Sequence, residues 1–407
     1  MKRIIVIITF FVLLTACNNS KELSLSEGIW LAELEVMDNE TLPFNFKLVK
    51  NDEGVYQMEI YNAEEVIHVD EVFIKNDSVT IKFPVYEGYI AGKFTENTIE
   101  GHFIKESLGR VVPFRAAFEE KNRFKKNSPS TQNISGIWKT EFSAGTEDRY
   151  MAKGIFEQNE GRVTGTFRTT TGDYRYLDGV MSGDSLKVSA FDGAHAFLFT
   201  AKVTDSSLNG TFYSGNHFKE PFVAERNEVF ELPNADSLTF LKEGYDTFEF
   251  SFPDAGGQLV SLADERFKNK VVLVQIMGTW CPNCLDETKF YVDYLKKNEH
   301  PDFELVALAF EYAKTQEEAF KRIIRLKERI GIDYPVLLAQ YGSSDKEAAQ
   351  QKLPMLNHVL SYPTSIFIDK KGSVRKIHTG FNGPATEEKF VLFQKEFDGF
   401  VKKLLAE

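Results

Sequence analysis

Val271-Val272-Leu273-Val274-Gln275-Ile276-Met277, followed two residues later by Trp280-Cys281-Pro282-Asn283-Cys284, is the stretch that decides the fold. The apolar run reads as a buried strand. Pro282 suits the first position of a helix, where its missing N–H is an orphan in any case. Cys281 then sits at the helix N-terminus, facing free backbone N–H groups and the positive end of the helix dipole, and both favour a thiolate. Two cysteines at this spacing beside a β/α pattern read as a pair whose disulfide is made and broken repeatedly. A zinc half-site would need two further soft ligands at close spacing, which the chain does not offer. A static disulfide is the other structural reading.

The chain has 407 residues and three cysteines. The remaining one closes an N-terminal pattern: Lys2-Arg3, an apolar run from Ile4 to Leu14 broken only by Thr9, then Leu14-Thr15-Ala16-Cys17. The run falls short of the roughly 20 apolar residues a membrane span needs, and it has the layout of a secretory signal. Its last four residues resemble a bacterial lipobox. The resemblance implies that residues 1–16 are a lipoprotein signal peptide, that Cys17 is the lipidated first residue of the mature chain, and that 17–24 form a tether. Asn18 stands where an Asp holds some lipoproteins in the inner membrane, which leans towards the outer one. Export to an oxidising compartment leaves Cys281 and Cys284 only each other, or a partner protein, to pair with. The formal net charge of -12 argues against nucleic acid as a partner, so membrane attachment falls to the lipid.

The first two-thirds read as β throughout, in short alternating runs such as Val79-Thr80-Ile81-Lys82-Phe83 between Asn, Asp and Gly punctuation. This region repeats itself. Gly28-Ile29-Trp30 returns as Gly136-Ile137-Trp138, and Pro113-Phe114-Arg115-Ala116 as Pro221-Phe222-Val223-Ala224, at the same displacement of 108 residues. Between them, Asp77-Ser78-Val79 answers Asp184-Ser185-Leu186, and Ile99-Glu100-Gly101 answers Leu208-Asn209-Gly210. The expectation is two copies of one antiparallel β-barrel or sandwich domain, 25–125 and 134–230, each of about eight strands. Lys126-Asn127-Ser128-Pro129-Ser130 would join them. Trp30 and Trp138 are expected as core plugs. Phe191, Phe197, Phe199, Phe212 and Tyr213 fit either a packed core or a small apolar cavity, and His68, His102, His195 and His217 read as ordinary surface or core residues.

From residue 246 strands and helices alternate. The run Val271–Met277 leads to a helix reaching Lys297, then the strand Leu305-Val306-Ala307-Leu308-Ala309-Phe310. Thr315 with Glu318 caps a helix that Gly331 closes. Strands Thr364–Asp369 and Val374–Thr379 flank a Lys370-Lys371-Gly372 turn, and a last helix carries Phe390, Phe393, Phe397, Val401 and Leu404 at helical spacing. Residues 246–407 are therefore expected to form a thioredoxin-like α/β sandwich, separable from the repeats, with a linker in Leu232–Glu243.

This region resembles the TlpA-like membrane-anchored thiol-disulfide oxidoreductases in three places: Gly278-Thr279-Trp280-Cys281-Pro282-Asn283-Cys284, Tyr362-Pro363-Thr364, and Phe367-Ile368-Asp369-Lys370-Lys371-Gly372. The resemblance implies that Cys281 attacks a partner disulfide and Cys284 resolves the mixed disulfide. It places a cis proline at Pro363, turning the backbone of Tyr362 towards an extended substrate, and a proton-transferring carboxyl at Glu287, while thioredoxin's own buried Asp corresponds to Gln275. Glu287 lies one helical turn beyond Cys284, so it can share that face. Trp280 and Tyr362 would receive the partner. Met277 and Tyr362 depart from the residue types usual at their places, both expected on the substrate face.

The expected function is a lipid-anchored, cell-envelope reductase of protein disulfides, with no metal or cofactor and with a membrane electron donor. A peroxidase of the peroxiredoxin type would want Thr three residues before the attacking cysteine, where Gly278 stands. A binding protein whose β repeats hold a ligand, with the redox module as accessory, is the reading from another class.

Overall fold

The computed structural model describes residues 23–407; the expected signal peptide and Cys17 lie outside the described residues. The first repeat is a nine-stranded antiparallel sheet: β1 (Gly28–Glu35), β2 (Thr41–Lys50), β3 (Tyr56–Asn62), β4 (Glu65–Val69), β5 (Glu71–Lys75), β6 (Ser78–Lys82), β7 (Tyr89–Phe94), β8 (Thr98–Lys105) and β9 (Arg110–Phe118). The order β4-β3-β2-β1-β9-β8-β7-β6-β5 leaves β4 and β5 at opposite edges. The second repeat is a closed barrel of β10 (Gly136–Phe142), β11 (Tyr150–Asn159), β12 (Arg162–Arg168), β13 (Leu177–Ser182), β14 (Ser185–Phe191), β15 (Ala196–Val203), β16 (Ser207–Ser214) and β17 (Phe218–Arg226). Alternation builds both. Along β3, Tyr56, Met58 and Ile60 point inward and Gln57, Glu59 and Tyr61 do not, the period of two a pleated strand imposes.

The displacement of 108 residues holds in the backbone register. Trp30 pairs with Phe118 across β1 and β9, and Trp138 with Arg226 across β10 and β17. Each tryptophan is fully buried, and each indole N–H donates to the carbonyl four residues earlier, Ser26 at 3.1 Å and Ile134 at 2.7 Å. The barrel interior is aromatic: Phe199 stacks on Phe212 with centroids 4.5 Å apart. Phe191, by contrast, leaves its own barrel and stacks at 4.2 Å on Phe44 inside the first repeat. The two repeats thus share a core.

The α/β domain opens with the hairpin β18 (Ser251–Pro253) and β19 (Leu259–Ser261). It continues through β20 (Val271–Met277), α1 (Pro282–Lys297), β21 (Phe303–Phe310), α2 (Gln316–Ile330), β22 (Val336–Gln340), α3 (Lys346–Lys352), β23 (Thr364–Ile368), β24 (Val374–Thr379) and α4 (Glu388–Ala406). Its sheet runs β22-β21-β20-β23-β24, with β20 parallel to β21 and antiparallel to β23. The Thr315 hydroxyl accepts from the Glu318 N–H at 3.2 Å to start α2, and Gly331 at φ 74 ends it, a left-handed cap that glycine adopts without penalty. Helix α4 buries Phe393, Phe397, Val401 and Leu404. β22 and α3 have no counterpart in the sequence reading.

Both expected linkers are packed. Lys126 donates to the Glu160 carbonyl, and Ser130 bridges to Gly183. In Leu232–Glu243, Thr239 is buried against the Thr379 hydroxyl, Leu241 bridges to Leu356, and Asp236 pairs with His378. The Asn234 side chain accepting from the Asp236 N–H makes a short capped turn here, so polar composition reflects a turn and not a free tether.

Candidate active site

β20 delivers the motif to the N-terminus of α1, where Cys281 is the N-cap residue and Pro282 opens the helix. The Cys281 sulfur accepts the Cys284 N–H at 3.2 Å, and its thiol donates to the Tyr362 carbonyl at 3.4 Å. The Tyr362–Pro363 peptide bond is cis. Both thiols are free; Cys281 is 6% exposed and Cys284 fully buried. Burial, with the Cys281 sulfur beside it, pushes the Cys284 thiol well above its usual range. Trp280 donates its indole N–H to the Phe310 carbonyl at 2.9 Å and meets Tyr362 edge-on, centroids 5.6 Å apart.

Glu287 lies fully buried on the same helix. It accepts from Gln275 at 2.8 Å, Tyr291 at 2.9 Å and Ser365 at 3.0 Å. Burial raises its carboxyl to about 7 even though these three donors oppose the shift, which suits proton exchange near neutrality. Gln275, standing where thioredoxin has its Asp, serves as a donor to Glu287. A second buried carboxyl, Glu311, escaped the sequence reading. It accepts both the N–H and the hydroxyl of Thr279 at 2.7 Å, pinning the turn before Cys281, and burial raises it to about 7. Its only signal was an acidic residue ending an apolar strand.

The β12–β13 loop of the second repeat, residues 169–176, lies across this site. Gly172 bridges to Phe381, the Ser361 hydroxyl donates to the Thr171 carbonyl at 2.9 Å, and Asn283 of the motif donates to the Asp173 carbonyl at 3.3 Å. The Gly383 N–H donates to the Asp173 carboxylate at 2.6 Å. Gly172 has φ +152, and a Cβ there would meet the Asn283 amide at 1.9 Å, so only glycine fits. Arg175 locks this strap: its guanidinium pairs with Asp286 of α1, with Glu65 of the first repeat at 2.5 Å, and with Asp192 at 3.5 Å. Burial raises Glu65; burial also opposes Asp192, but His195 and Arg175 together hold it down to about 2. One cation therefore ties three globular parts together around the motif.

Of the residues singled out from the sequence, Cys281, Cys284, Glu287, Pro363, Trp280 and Tyr362 come together here, and Cys17 lies outside the described residues. The expectation of Met277 on the substrate face needs correction, since Met277 is buried inside β20; Tyr362 is 7% exposed, packed against Phe310 and Trp280, with its carbonyl facing the Cys281 thiol. Strap residues Asp173 and Arg175 and helix residue Asp286 were missed, because nothing local in Thr169-Thr170-Thr171-Gly172 announces a partner more than a hundred residues away.

The family model described as Redoxin matches residues 242–391. The chain is 29% identical over 140 residues to the thioredoxin-like protein YneN of Bacillus subtilis, a span of 34% of this chain and 73% of that protein. It is 27% identical over 140 residues to the thiol-disulfide oxidoreductase ResA of Bacillus subtilis, covering 34% and 69%. A crystal structure of a thiol:disulfide interchange protein of the thioredoxin family from Chlorobium tepidum shares 23% identity, covers 40% of this chain and 98% of its own, and gives a TM-score of 0.30. The Redoxin match falls on the α/β domain, and the C-terminal region of this chain is a Redoxin domain, homologous to the thiol-disulfide oxidoreductases.

Proposed function

We propose that this chain is a protein-disulfide reductase of the bacterial cell envelope, acting through Cys281 and Cys284 and anchored by a lipid on Cys17. The observation that carries it is the Cys281 sulfur at the start of α1, bonded to the Cys284 N–H and facing the carbonyl before Pro363, with the Glu287 carboxyl buried behind. Cys281 attacks one sulfur of a substrate disulfide, releasing the other as a thiol and forming a mixed disulfide. Cys284 gives its proton to the Glu287 carboxylate and attacks the Cys281 sulfur. The second substrate thiol leaves, and the enzyme holds the new disulfide. A membrane electron donor then returns two electrons and two protons. Trp280 and Tyr362 border the reacting sulfur, and access for a protein segment requires the strap to move aside.

Residues 1–16 are proposed as the signal peptide, 17–24 as the tether, 25–125 and 134–230 as the repeats, and 246–407 as the catalytic unit. Reduced full chain should reduce a model protein disulfide, Cys281→Ser should abolish this, and Cys284→Ser should accumulate the mixed disulfide. Full activity in Cys281→Ser would overturn the reading. Cys17→Ser should move the protein from the detergent phase to the aqueous phase; continued detergent partitioning would overturn the anchor.

A further inference from the structure

A cavity of about 560 Å³ opens where the two repeats and the Redoxin domain meet. Its walls are the β8–β9 hairpin of the first repeat, one end of the barrel, and Trp280 with Tyr312 of the redox domain. Two of the residues lining it, Lys105 and Arg110, carry a full positive charge, His195 and His217 stand beside them, and among the described residues lining it there is no carboxylate. Its apolar wall is aromatic, with Phe197, Phe212 and Phe218 from the barrel. An aromatic wall with a few convergent charges is the usual build of a small-molecule site, and the volume falls within the common range of roughly 300–1,000 Å³.

Lys105 and Arg110 feel Glu87, and Lys105 also Asp192, only from beyond ion-pair distance. Lys105 is 8% exposed, and its ammonium makes one bond, to the Ala194 carbonyl at 3.0 Å. Neither Lys105 nor Arg110 has an ion-pair partner among the described residues. The nearest carboxylates are engaged elsewhere: Glu87 with Arg322 and the Tyr312 hydroxyl, Asp192 with Arg175 and His195. Burying uncompensated charge is costly. The strain is visible in the protons: burial and the neighbouring Arg110 charge lower Lys105 to about 8, and burial with Arg110 and Lys105 lowers His217 to about 4. An arriving anion would relieve both. One guanidinium, which can hold a carboxylate through two parallel N–H bonds, stands beside one ammonium already bonded to the Ala194 carbonyl, a donor set that fits a carboxylate.

We infer that this cavity is a binding site for a small amphipathic carboxylate, its acid group held by Arg110 and Lys105 and its apolar body lying on Phe197, Phe212 and Phe218 against Trp280. The ligand would cover the exposed side of the motif's tryptophan, beside the thiol pair. Trp30 and Trp138 are fully buried and Trp280 is partly exposed, so among the chain's three tryptophans Trp280 is the one whose emission should report occupancy.

The test uses the full-length chain carrying Cys281→Ser and Cys284→Ser, so that it is independent of any redox activity. Calorimetric titration with 4-phenylbutyrate and with the neutral 4-phenylbutanol should show one site, with the carboxylate bound at least tenfold more tightly and Trp280 emission changing in step. Arg110→Gln should remove that preference and leave the alcohol's affinity within twofold. Arg110 is half-buried and unpaired, so this variant should fold, which an unchanged thermal midpoint verifies; Lys105→Met serves as the second variant. Equal affinity for acid and alcohol, no saturable binding of the acid, or an undiminished preference in both variants would overturn the inference.

Discussion

The two β repeats are alike where their first and last strands meet and unlike where their middles face the redox domain. β9 and β17 begin and end at the same displacement, and Trp30 and Trp138 are each buried in the core of their own repeat with the same indole bond. Between the third strand and the next hairpin they part. The first repeat spends those residues on β4, an edge strand; the second closes its barrel and throws out residues 169–176 as a strap over the thiols. The shared part is a packing solution that tolerates sequence change while the alternation lasts. The divergent part is set by what lies outside the repeat.

The largest effect should come from the shared part. Trp30→Ala and Trp138→Ala each remove a fully buried indole and should cost about 4–5 kcal/mol, read by denaturant unfolding. If the copies differ in role, Trp138→Ala should also speed alkylation of Cys281, because its barrel carries the strap, and Trp30→Ala should do so much less. Equal acceleration would erase the distinction.

Next comes the lock. Arg175→Met leaves Glu65 and Asp286 without their cation and Asp192 with only His195, and should cost about 4 kcal/mol, with Cys281 alkylation at least tenfold faster. His68→Ala on exposed β4 should change both by little, within about 0.5 kcal/mol. A locked, slow-alkylating Arg175→Met would show that the strap does not depend on this pairing.

Glu287→Gln tests the buried interior behind the thiol pair. The folded carboxyl titrates at about 7, above its ordinary 4.5. Its protonated form therefore supports the fold below about pH 4.5, and that support is lost as pH rises through 7. The variant should lack this loss, amounting to about 3 kcal/mol between pH 4.5 and pH 8, and the resolution step should lose its inflection near pH 7. A wild-type stability profile in that window would remove Glu287 from the proton path.

The smallest effect is at the strap's contact with the motif. Gly172→Ala should cost about 1–2 kcal/mol and displace Asn283, raising alkylation a few-fold. Gly54→Ala in the first repeat, also at positive φ but with open space around its Cβ, should leave Cys281 as slow as before.

The thiol pair, Pro363 and Glu287 could be picked out because their chemistry is local or family-borne: a helix start, a proline, an acid one turn from a cysteine. The 108-residue repeat and the α2 cap were legible for the same reason. Glu311, Asp173, Arg175 and the tightly packed segment 232–243 were not, since each acquires its role from a partner distant in the chain. His195 and His217 show the limit most plainly. Read singly they are ordinary residues, and only the meeting of three bodies sets them with Lys105 and Arg110 around one cavity.

By itself the sequence determined which segments alternate, which repeat, and where a pair of cysteines stands at a helix start, because periodicity, capping and cysteine spacing act over a few residues. Tertiary structure alone decided which repeat closes, what lies over Cys281, and where buried charges go unmatched. Those outcomes depend on desolvation and Coulomb energies between groups that meet only once the chain is folded.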